Sequence, residues 1–298
     1  MRRGTQRKEE YEFNIQDMNE LNLKGKVAVI TGGAGLICSE MARALAFQGV
    51  KTVIIDLNGD AAGNVAEAIE KEFNTPSLGL SASVIDKTSL ENSKKIINEN
   101  FGSIDILING AGGNSPAATT KVEKMDGSDT ENPADTFFGL QLEGFDRVFD
   151  LNFKGTLLPS MVYATDMIKM KSGVIINISS MNSYRPLTKI AAYSAAKASV
   201  NNFTQWLSVH FSKAGIRVNA IAPGFLLTNQ NKFLMIDEKA DDNLTPRARK
   251  ILNSTPMERF GTPDDLTGTL LFLVSDLSKF VTGVIIPVDG GFSAYSGV

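Results

Sequence analysis

The chain has 298 residues, of which 43% are hydrophobic and 21% are charged, and this composition is typical of a globular protein rather than a collagen-like, low-complexity or disordered chain. The net charge of −3 provides no positive field for nucleic acid or an anionic membrane, so we expect neither partner. One cysteine and one histidine exclude a disulfide framework and a Cys/His zinc site, and we expect no bound metal.

The N-terminal region, residues 1–22, begins basic and turns acidic. A targeting peptide is one interpretation, but Glu9, Glu10 and Glu12 favour a flexible, solvated extension. The sequence lacks the apolar core of a secretory signal, and no apolar run approaches the roughly 18 residues that span a bilayer. We therefore expect a cytoplasmic protein.

Residues 23–298 alternate short β-branched runs with helical patterns, which is typical of βαβ units. The pattern predicts one doubly wound α/β domain with a mainly parallel, seven-stranded sheet flanked by helices. The predicted strands are 26–31, 51–56, 77–83, 104–109, 173–179, 216–222 and 283–288. The predicted helices lie near 39–49, 60–73, 89–101, 141–170, 191–213, 246–252 and 263–277.

Two long polar segments interrupt this pattern, near 114–140 and 225–259. Both lack a steady period, apart from the short helix near 246–252, and we expect lid-like loops that cover a site. The predicted helix from Ala191 to Lys213 is apolar almost all round, which indicates burial inside the protein or at a subunit contact. Oligomerisation is therefore expected.

The first predicted strand runs into the glycine-rich turn TGGAGLIC, Thr31 to Cys38, followed by a helix. Backbone amides and the positive helix end at such a turn suit a pyrophosphate. Asp56 ends the second strand, 24 residues after Gly32, close to the spacing of an acid that binds an adenosine ribose. A carboxylate there favours NAD over NADP, because it repels a 2′-phosphate. Alternatively, these residues only form turns.

Tyr193 and Lys197 lie four residues apart near the start of a predicted helix, which stacks them on one face. A neighbouring ammonium favours the phenolate form of tyrosine, so we expect Lys197 to lower the pKa of Tyr193 and the pair to exchange protons near neutral pH. The same spacing also occurs by chance in many helices.

From about Leu23 to the C-terminus, the chain resembles the short-chain dehydrogenase/reductase family. The matching motifs occur in order: the turn at Thr31 to Cys38, NGAG at Asn109 to Gly112, FDLNFKG around Asn152, Ser180 thirteen residues before Tyr193, and Pro223, Gly224 and Thr228 after the sixth strand. The resemblance implies a Rossmann fold and hydride transfer between a nicotinamide and a carbonyl or alcohol carbon.

The resemblance also implies roles for individual residues. Tyr193 would be the acid/base, Ser180 would orient the substrate oxygen, Lys197 would hold the nicotinamide ribose, and Asn152 would position a relay water. The implied cofactor-binding residues, for NAD, are Thr31, Gly32, Gly33, Gly35, Leu36, Ile37, Asp56, Asn109, Gly110, Ala111, Gly112, Tyr193, Lys197, Pro223, Gly224 and Thr228.

Three positions depart from the family pattern. Leu36 and Cys38 stand where the family usually has glycine, so we expect shifted phosphate contacts, which Gly35 would absorb through an altered turn. A reactive thiol is the less favoured interpretation of Cys38. Ser83 stands where an aspartate commonly contacts adenine.

Within the family, four strings resemble the subgroup of D-mannonate oxidoreductases, or fructuronate reductases: TGGAGLICSEMA, SSMNSYRPLTKIAAYSAAKASVNNFTQWL, APGFLLTNQN and VDGGFSAYSGV. The resemblance implies reversible reduction of D-fructuronate to D-mannonate in hexuronate breakdown, by a homotetramer. Another NAD-dependent polyol or gluconate-type dehydrogenase is the main alternative, and an NAD-sensing regulator without turnover is a further one.

A sugar-acid substrate needs a cation for its carboxylate and polar groups for its hydroxyls. Arg185 is the first candidate because it lies between Ser180 and Tyr193. The other candidates are Asn114, Asn182, Lys189 and Asn229, and each of the five could instead be an exposed loop residue. We expect Arg247 and Arg249 on a solvated face and His210 in packing or an interface.

Overall fold

The computed structural model describes residues 21–126, 133–228, 232–237, 240 and 242–297. The predicted N-terminal extension lies outside this part of the chain, apart from Leu21 and Asn22. The predicted loops near 114–140 and 225–259 are only partly described, because residues 127–132, 229–231, 238–239 and 241 also lie outside it. The lid role of these loops stays a prediction.

Seven strands form one sheet in the order β3-β2-β1-β4-β5-β6-β7, and all neighbouring strands are parallel. The prediction of a seven-stranded Rossmann sheet is confirmed, and within the described residues the sheet is wholly parallel. The strands are β1 (Val27–Thr31), β2 (Lys51–Asp56), β3 (Ser77–Ser81), β4 (Ile106–Asn109), β5 (Gly173–Ile178), β6 (Ile216–Pro223) and β7 (Ile285–Val288).

The helices lie on both faces of this sheet. They are α1 (Leu36–Phe47), α2 (Gly59–Phe73), α3 (Lys87–Asn100), α4 (Leu142–Phe149), α5 (Gly155–Met170), α6 (Ala191–His210), α7 (Lys232–Met235), α8 (Pro246–Asn253) and α9 (Thr267–Val274). Polar side chains fix several starts: Asn58 accepts a hydrogen bond from the amide of Ala61, and Asp86 accepts from Thr88 and Ser89.

Two apolar layers cover the faces of the sheet, and β1 contributes to both. Val27 and Val29 belong to the layer beneath α3, α5 and α6, whereas Ala28 and Ile30 pack with α1, α2 and α9. Alternate residues of a strand point to opposite faces, so a strand buried on both sides must be apolar throughout. This explains the unbroken apolar run of β1.

Two predicted helices have different bounds in the structure. The predicted helix near 141–170 is divided into α4 and α5 by a π-helical segment, Asp150–Lys154. The predicted helix 191–213 ends at His210, and its side chains Trp206 and Val209 are 56% and 74% exposed. Within a single chain this end of α6 is exposed, so of the two predicted environments only the subunit contact applies here, and that contact stays a prediction.

The direction of winding reverses between β1 and β4, which are neighbours in the sheet although β2 and β3 separate them in sequence. In doubly wound sheets a ligand crevice opens at this switch point, beyond the carboxyl ends of the strands. The glycine-rich turn after β1 and the NGAG turn after β4 both lie there. Among the described helices, none is long and apolar enough to cross a membrane.

Candidate active site

The turn after β1 combines close backbone packing with an uncapped helix end. Gly32 has a φ of +62°, and a Cβ there would lie 2.8 Å from the Cα of Ala111, so a side chain would displace the neighbouring turn. Gly35 is the N-cap of α1 and no side chain caps this helix. The first amides of α1 are therefore available to a ligand, and with the helix dipole they suit a diphosphate.

A cleft of about 470 Å³ opens beside this turn. Ten of the predicted cofactor-binding residues line it: Gly32, Gly35, Leu36, Ile37, Asp56, Gly110, Ala111, Gly112, Gly224 and Thr228. Cys38, Phe225 and Leu226 line it as well. Asp56 is the one charged side chain among the described lining residues.

The carboxylate of Asp56 is held at the end of β2 by two backbone amides. Its Oδ2 accepts a hydrogen bond from Ala34 at 3.3 Å, and its Oδ1 accepts one from Asn58 at 3.1 Å. A fixed carboxylate at this end of the cleft can accept hydrogen bonds from a ribose diol and repels an added phosphate. The cleft therefore fits NAD.

Four predicted cofactor-binding residues are buried and support the cleft instead of lining it: Thr31, Gly33, Asn109 and Pro223. Direct cofactor contact by these four residues stays a prediction. The Thr31 hydroxyl, for example, accepts a hydrogen bond from the amide of Gly110 at 3.1 Å and donates to the carbonyl of Ile108 at 3.4 Å. This hydroxyl therefore links the turn after β1 to the turn after β4.

Asn109 has a comparable internal function. Its Nδ2 donates to Ser160 Oγ at 2.9 Å and to Asn177 Oδ1 at 2.8 Å, which links β4 to α5 and β5 below the cleft. The side chain is 1% exposed. Sequence reasoning could not separate this internal orientation from one that faces the ligand.

Tyr193 and Lys197 lie one turn apart on α6, as their spacing predicts. Lys197 Nζ donates to the carbonyl of Ile178 at 2.7 Å and lies 5.7 Å from the centroid of the Tyr193 ring. A Cβ on Gly112 would be 3.1 Å from the same Nζ, so the cleft and the buried ammonium meet at this glycine.

Ser180 completes this cluster from the end of β5. Its hydroxyl is near enough to that of Tyr193 to lower the tyrosine pKa, and it accepts a hydrogen bond from the amide of Asn182 at 3.3 Å. Ser180 is buried and Tyr193 is half-buried. The structure therefore brings together the three residues predicted for proton transfer.

The electrostatics of the pair differ from the sequence prediction. Burial raises the pKa of Tyr193, and the hydrogen bond with Ser180 only opposes this rise. Burial also lowers the pKa of Lys197 to about 8, against a smaller opposing effect of Cys38. The expected lowering of the Tyr193 pKa by Lys197 is wrong, because the ammonium donates to Ile178 and lies over the ring rather than against the phenol oxygen.

Asn152 lies in the π-helical segment between α4 and α5 and is fully buried. Its Nδ2 donates to the carbonyls of Gly113 at 2.7 Å and Val148 at 2.8 Å, and its Oδ1 accepts from the amide of Gly113 at 3.2 Å. This amide therefore holds the turn after β4. Its predicted role with a relay water stays a prediction.

Cys38 is buried at the cleft floor, against Gly110. Burial raises the pKa of the thiol to about 12, which opposes the thiolate form that a reactive cysteine requires. The reactive-thiol interpretation is therefore not supported. Gly35 has an ordinary extended conformation, with φ −73° and ψ 153°, so the turn does not depend on a left-handed conformation at this position.

The predicted substrate residues occupy different places. Arg185 lies in an exposed groove near the C-terminal segment, whereas Lys189 lines a separate cavity with Glu123, and Leu187 borders both. Asn114 donates to Thr119 Oγ1 at 2.9 Å, and Asn182 is buried with no partner for its Oδ1. Asn229 lies outside the described residues.

Sequence analysis missed a polar cluster beneath Ser180, formed by Ser179, Ser183 and Asn201. The available signal was helical spacing, since Asn201 follows Lys197 by four residues and continues the face that carries Tyr193. Phe225 and Leu226 of the cleft were missed because apolar residues after a strand resemble ordinary core.

Comparison with known proteins agrees with this geometry. A family model described as Enoyl-(Acyl carrier protein) reductase matches residues 33–293. An uncharacterized oxidoreductase, UxuB, of Bacillus subtilis is 50% identical over 278 residues, which cover 93% of this chain and 98% of that protein. An uncharacterized oxidoreductase of Haemophilus influenzae is 50% identical over 291 residues, which cover 96% and 100%.

A crystal structure of a Haemophilus influenzae protein, provisionally named a D-mannonate oxidoreductase and solved with bound NAD, superposes with a TM-score of 0.88. The two chains are 49% identical, and the match covers 94% of this chain and 99% of the other. The family predicted from the sequence is confirmed. The chain belongs to the short-chain dehydrogenase/reductases and is an oxidoreductase that acts on CH–OH groups.

Proposed function

We propose that this protein is an NAD-dependent oxidoreductase that interconverts the ketone D-fructuronate and the alcohol D-mannonate. The observation that carries the proposal is the pairing of Ser180 with Tyr193, with Lys197 5.7 Å from the tyrosine ring, beside a cleft that suits a dinucleotide. The name of the Haemophilus relative supports the choice of sugar acid.

NAD is the cofactor. The relative that is 49% identical contains bound NAD, and the Gly32 to Leu36 turn, the uncapped α1 and the anchored Asp56 carboxylate fit its two ends. When bound, NAD supplies hydride transfer at its nicotinamide ring. In this chain Lys197 would hold the nicotinamide ribose, with Gly224 and Thr228 beside the ring.

Tyr193 acts as the acid during ketone reduction. The substrate oxygen accepts hydrogen bonds from Ser180 and Tyr193, and its growing negative charge is stabilised by both hydroxyls. Tyr193 then transfers its proton to this oxygen. The phenol is protonated at neutral pH, because its ordinary pKa lies near 10 and burial raises it further, so the resting enzyme is prepared for reduction.

The groove around Arg185 suits the substrate carboxylate. Its volume is about 370 Å³, and its lining combines this guanidinium with hydroxyls of Thr188, Ser254, Tyr295 and Ser296. No carboxylate is among the described lining residues. Phe292 of the groove is 5.2 Å, centroid to centroid, from Phe225 of the cofactor cleft, so the two spaces adjoin across one aromatic pair. Asn114, Asn182, Lys189 and Asn229 remain proposed contacts for hydroxyls.

We also propose a cytoplasmic homotetramer that works in hexuronate catabolism, built from a single domain with lid-like loops. The exposed Trp206 and Val209 of α6 support a subunit contact at this helix. Light scattering of the purified protein tests the tetramer, and a monomeric mass at micromolar concentration would contradict it.

An NADH oxidation assay against fructuronate, tagaturonate, 5-ketogluconate and mannuronate tests the substrate. The proposal predicts the highest kcat/KM with fructuronate. Preference for 5-ketogluconate would favour the gluconate-type alternative, and NADH binding without turnover of any of these or of simple polyols would favour the regulator.

A further inference from the structure

A hydrogen-bonded cluster connects helix α6 to the loop that carries Ser180. Asn201 Oδ1 accepts a hydrogen bond from Ser179 Oγ at 2.5 Å, and Asn201 Nδ2 donates to Ser183 Oγ at 2.8 Å. The two serine hydroxyls are also 3.2 Å apart. The single amide of Asn201 therefore bridges both sides of the loop.

The cluster ends on the backbone of Ser180. Ser183 Oγ donates to the carbonyl of Ser180 at 2.6 Å, and the amide of Ser183 donates to the same carbonyl at 3.0 Å. The Ser180 hydroxyl then accepts from the amide of Asn182, which lies within this turn. The orientation of the Ser180 side chain consequently depends on a turn that Asn201 holds through Ser183.

Tyr193, Lys197 and Asn201 follow one another at intervals of four residues along α6, so they lie on one face in successive turns. The same helix thus carries both Tyr193, the proton donor, and Asn201, the group that fixes the position of Ser180. A helix shift would move both residues together, so Ser180 would keep its position relative to Tyr193.

We propose that Asn201 is a positioning residue, which acts through Ser183 to hold the Ser180 hydroxyl against Tyr193. This inference rests on the proposed function, because it assigns a role only if Ser180 and Tyr193 act on the substrate oxygen. Asn201 itself touches neither the substrate nor the cofactor in this scheme.

The primary test is Asn201→Ala, with Asn202→Ala as the matched control. Asn202 is the next residue of the same helix and is exposed. We expect kcat to fall by about 10- to 100-fold for Asn201→Ala, since small displacements of catalytic groups have effects of this size, while KM for NADH stays within about 2-fold. Asn202→Ala should retain wild-type turnover. Unchanged kcat in Asn201→Ala would overturn the proposal.

A double-mutant cycle separates positioning from general damage. In a Ser180→Ala background, Asn201→Ala should lower the residual kcat by less than about 2-fold, because the group that it positions is gone. An equal loss in both backgrounds would refute action through Ser180. Full activity of Ser180→Ala alone would instead contradict the proposed function.

Two further variants test the proposal in case the Asn201→Ala protein does not fold. Ser183→Ala removes only the last link of the cluster and should lower kcat, whereas Ser183→Thr keeps the hydroxyl and should restore most of it. In the alcohol-oxidation direction, the pH profile of Ser183→Ala should move to higher pH, because Tyr193 loses a hydrogen bond that favours its phenolate. Equal activity of the alanine and threonine variants would overturn the inference.

Discussion

The Lys197 ammonium donates a hydrogen bond to the main-chain carbonyl of Ile178, so the lysine is fixed to the end of β5 before any ligand binds. Because burial lowers the Lys197 pKa to about 8, the folded protein binds this proton less tightly than the unfolded chain, whose lysine titrates near 10.4. Below pH 8, where Lys197 is charged in the folded protein, its burial therefore lowers the free energy of unfolding.

Comparison of the wild type with Lys197→Met should reveal this dependence of stability on pH. Between about pH 8 and 10 the unfolded state holds more protons, so the free energy of unfolding of the wild type should rise relative to Lys197→Met, by at most about 3 kcal/mol. Urea unfolding at several pH values measures the difference. A constant difference across this range would contradict the shifted pKa, and Lys169→Met on the exposed end of α5 is a suitable control.

Tyr193→Phe should remove the proton donor without altering the cleft. We expect kcat for fructuronate reduction to fall by at least about 100-fold, because general acid catalysis contributes factors of this size. Binding of NADH, followed by fluorescence, should stay within about 3-fold. Tyr184→Phe, on the neighbouring loop, should retain near-normal turnover, and substantial activity of Tyr193→Phe would eliminate the proposed acid.

Asp56→Ser should weaken the preference for NADH over NADPH. The variant loses a carboxylate that repels a 2′-phosphate, so we expect kcat/KM for NADPH to increase about 10-fold and kcat/KM for NADH to decrease. Asp60→Ser changes an exposed acid in the first turn of α2 and should leave the ratio unchanged. An unaltered cofactor ratio in Asp56→Ser would show that Asp56 does not select the cofactor.

Gly110→Ala should destabilise the protein, because the new methyl group would overlap the Cys38 sulfur and approach the Thr31 carbonyl to 2.8 Å. We expect a loss of about 1–3 kcal/mol. Cys38→Gly in the same chain should recover part of it, since the Thr31 contact remains. Gly63→Ala, in α2 with nothing within 4 Å of the added atom, should be neutral or slightly stabilising. Additive effects of Gly110→Ala and Cys38→Gly would contradict the overlap.

The order of elements and the position of the crevice could be predicted from the sequence. The strand β1 is apolar from Val27 to Ile30 because both its faces are covered, and the turn after it contains Gly32 because a side chain there would overlap Ala111. Such local constraints can be recognised directly from the residue types. The spacing of Tyr193 and Lys197 likewise sets their common face.

The orientation of polar side chains could not be predicted in the same way. Asn109 and Thr31 are the last residues of strands and carry hydrogen-bonding groups, yet both point into the protein, where other strands and helices supply their partners. Asn201 contacts Ser179 across 22 residues of chain. These contacts depend on tertiary packing, and the same packing removes water from Tyr193 and reverses the expected direction of its pKa.

The π-helical segment Asp150–Lys154 makes the chain sensitive to length at this point. Such a segment holds one more residue per turn than regular helix, so a deletion of one residue there would let α4 continue smoothly into α5. Because a turn of π-helix replaces a turn of α-helix, α5 would keep nearly the same orientation relative to α4. The deletion would instead remove the local backbone shift at which Asn152 contacts Gly113, so it should disturb the turn after β4 more than the packing of α5 on the sheet.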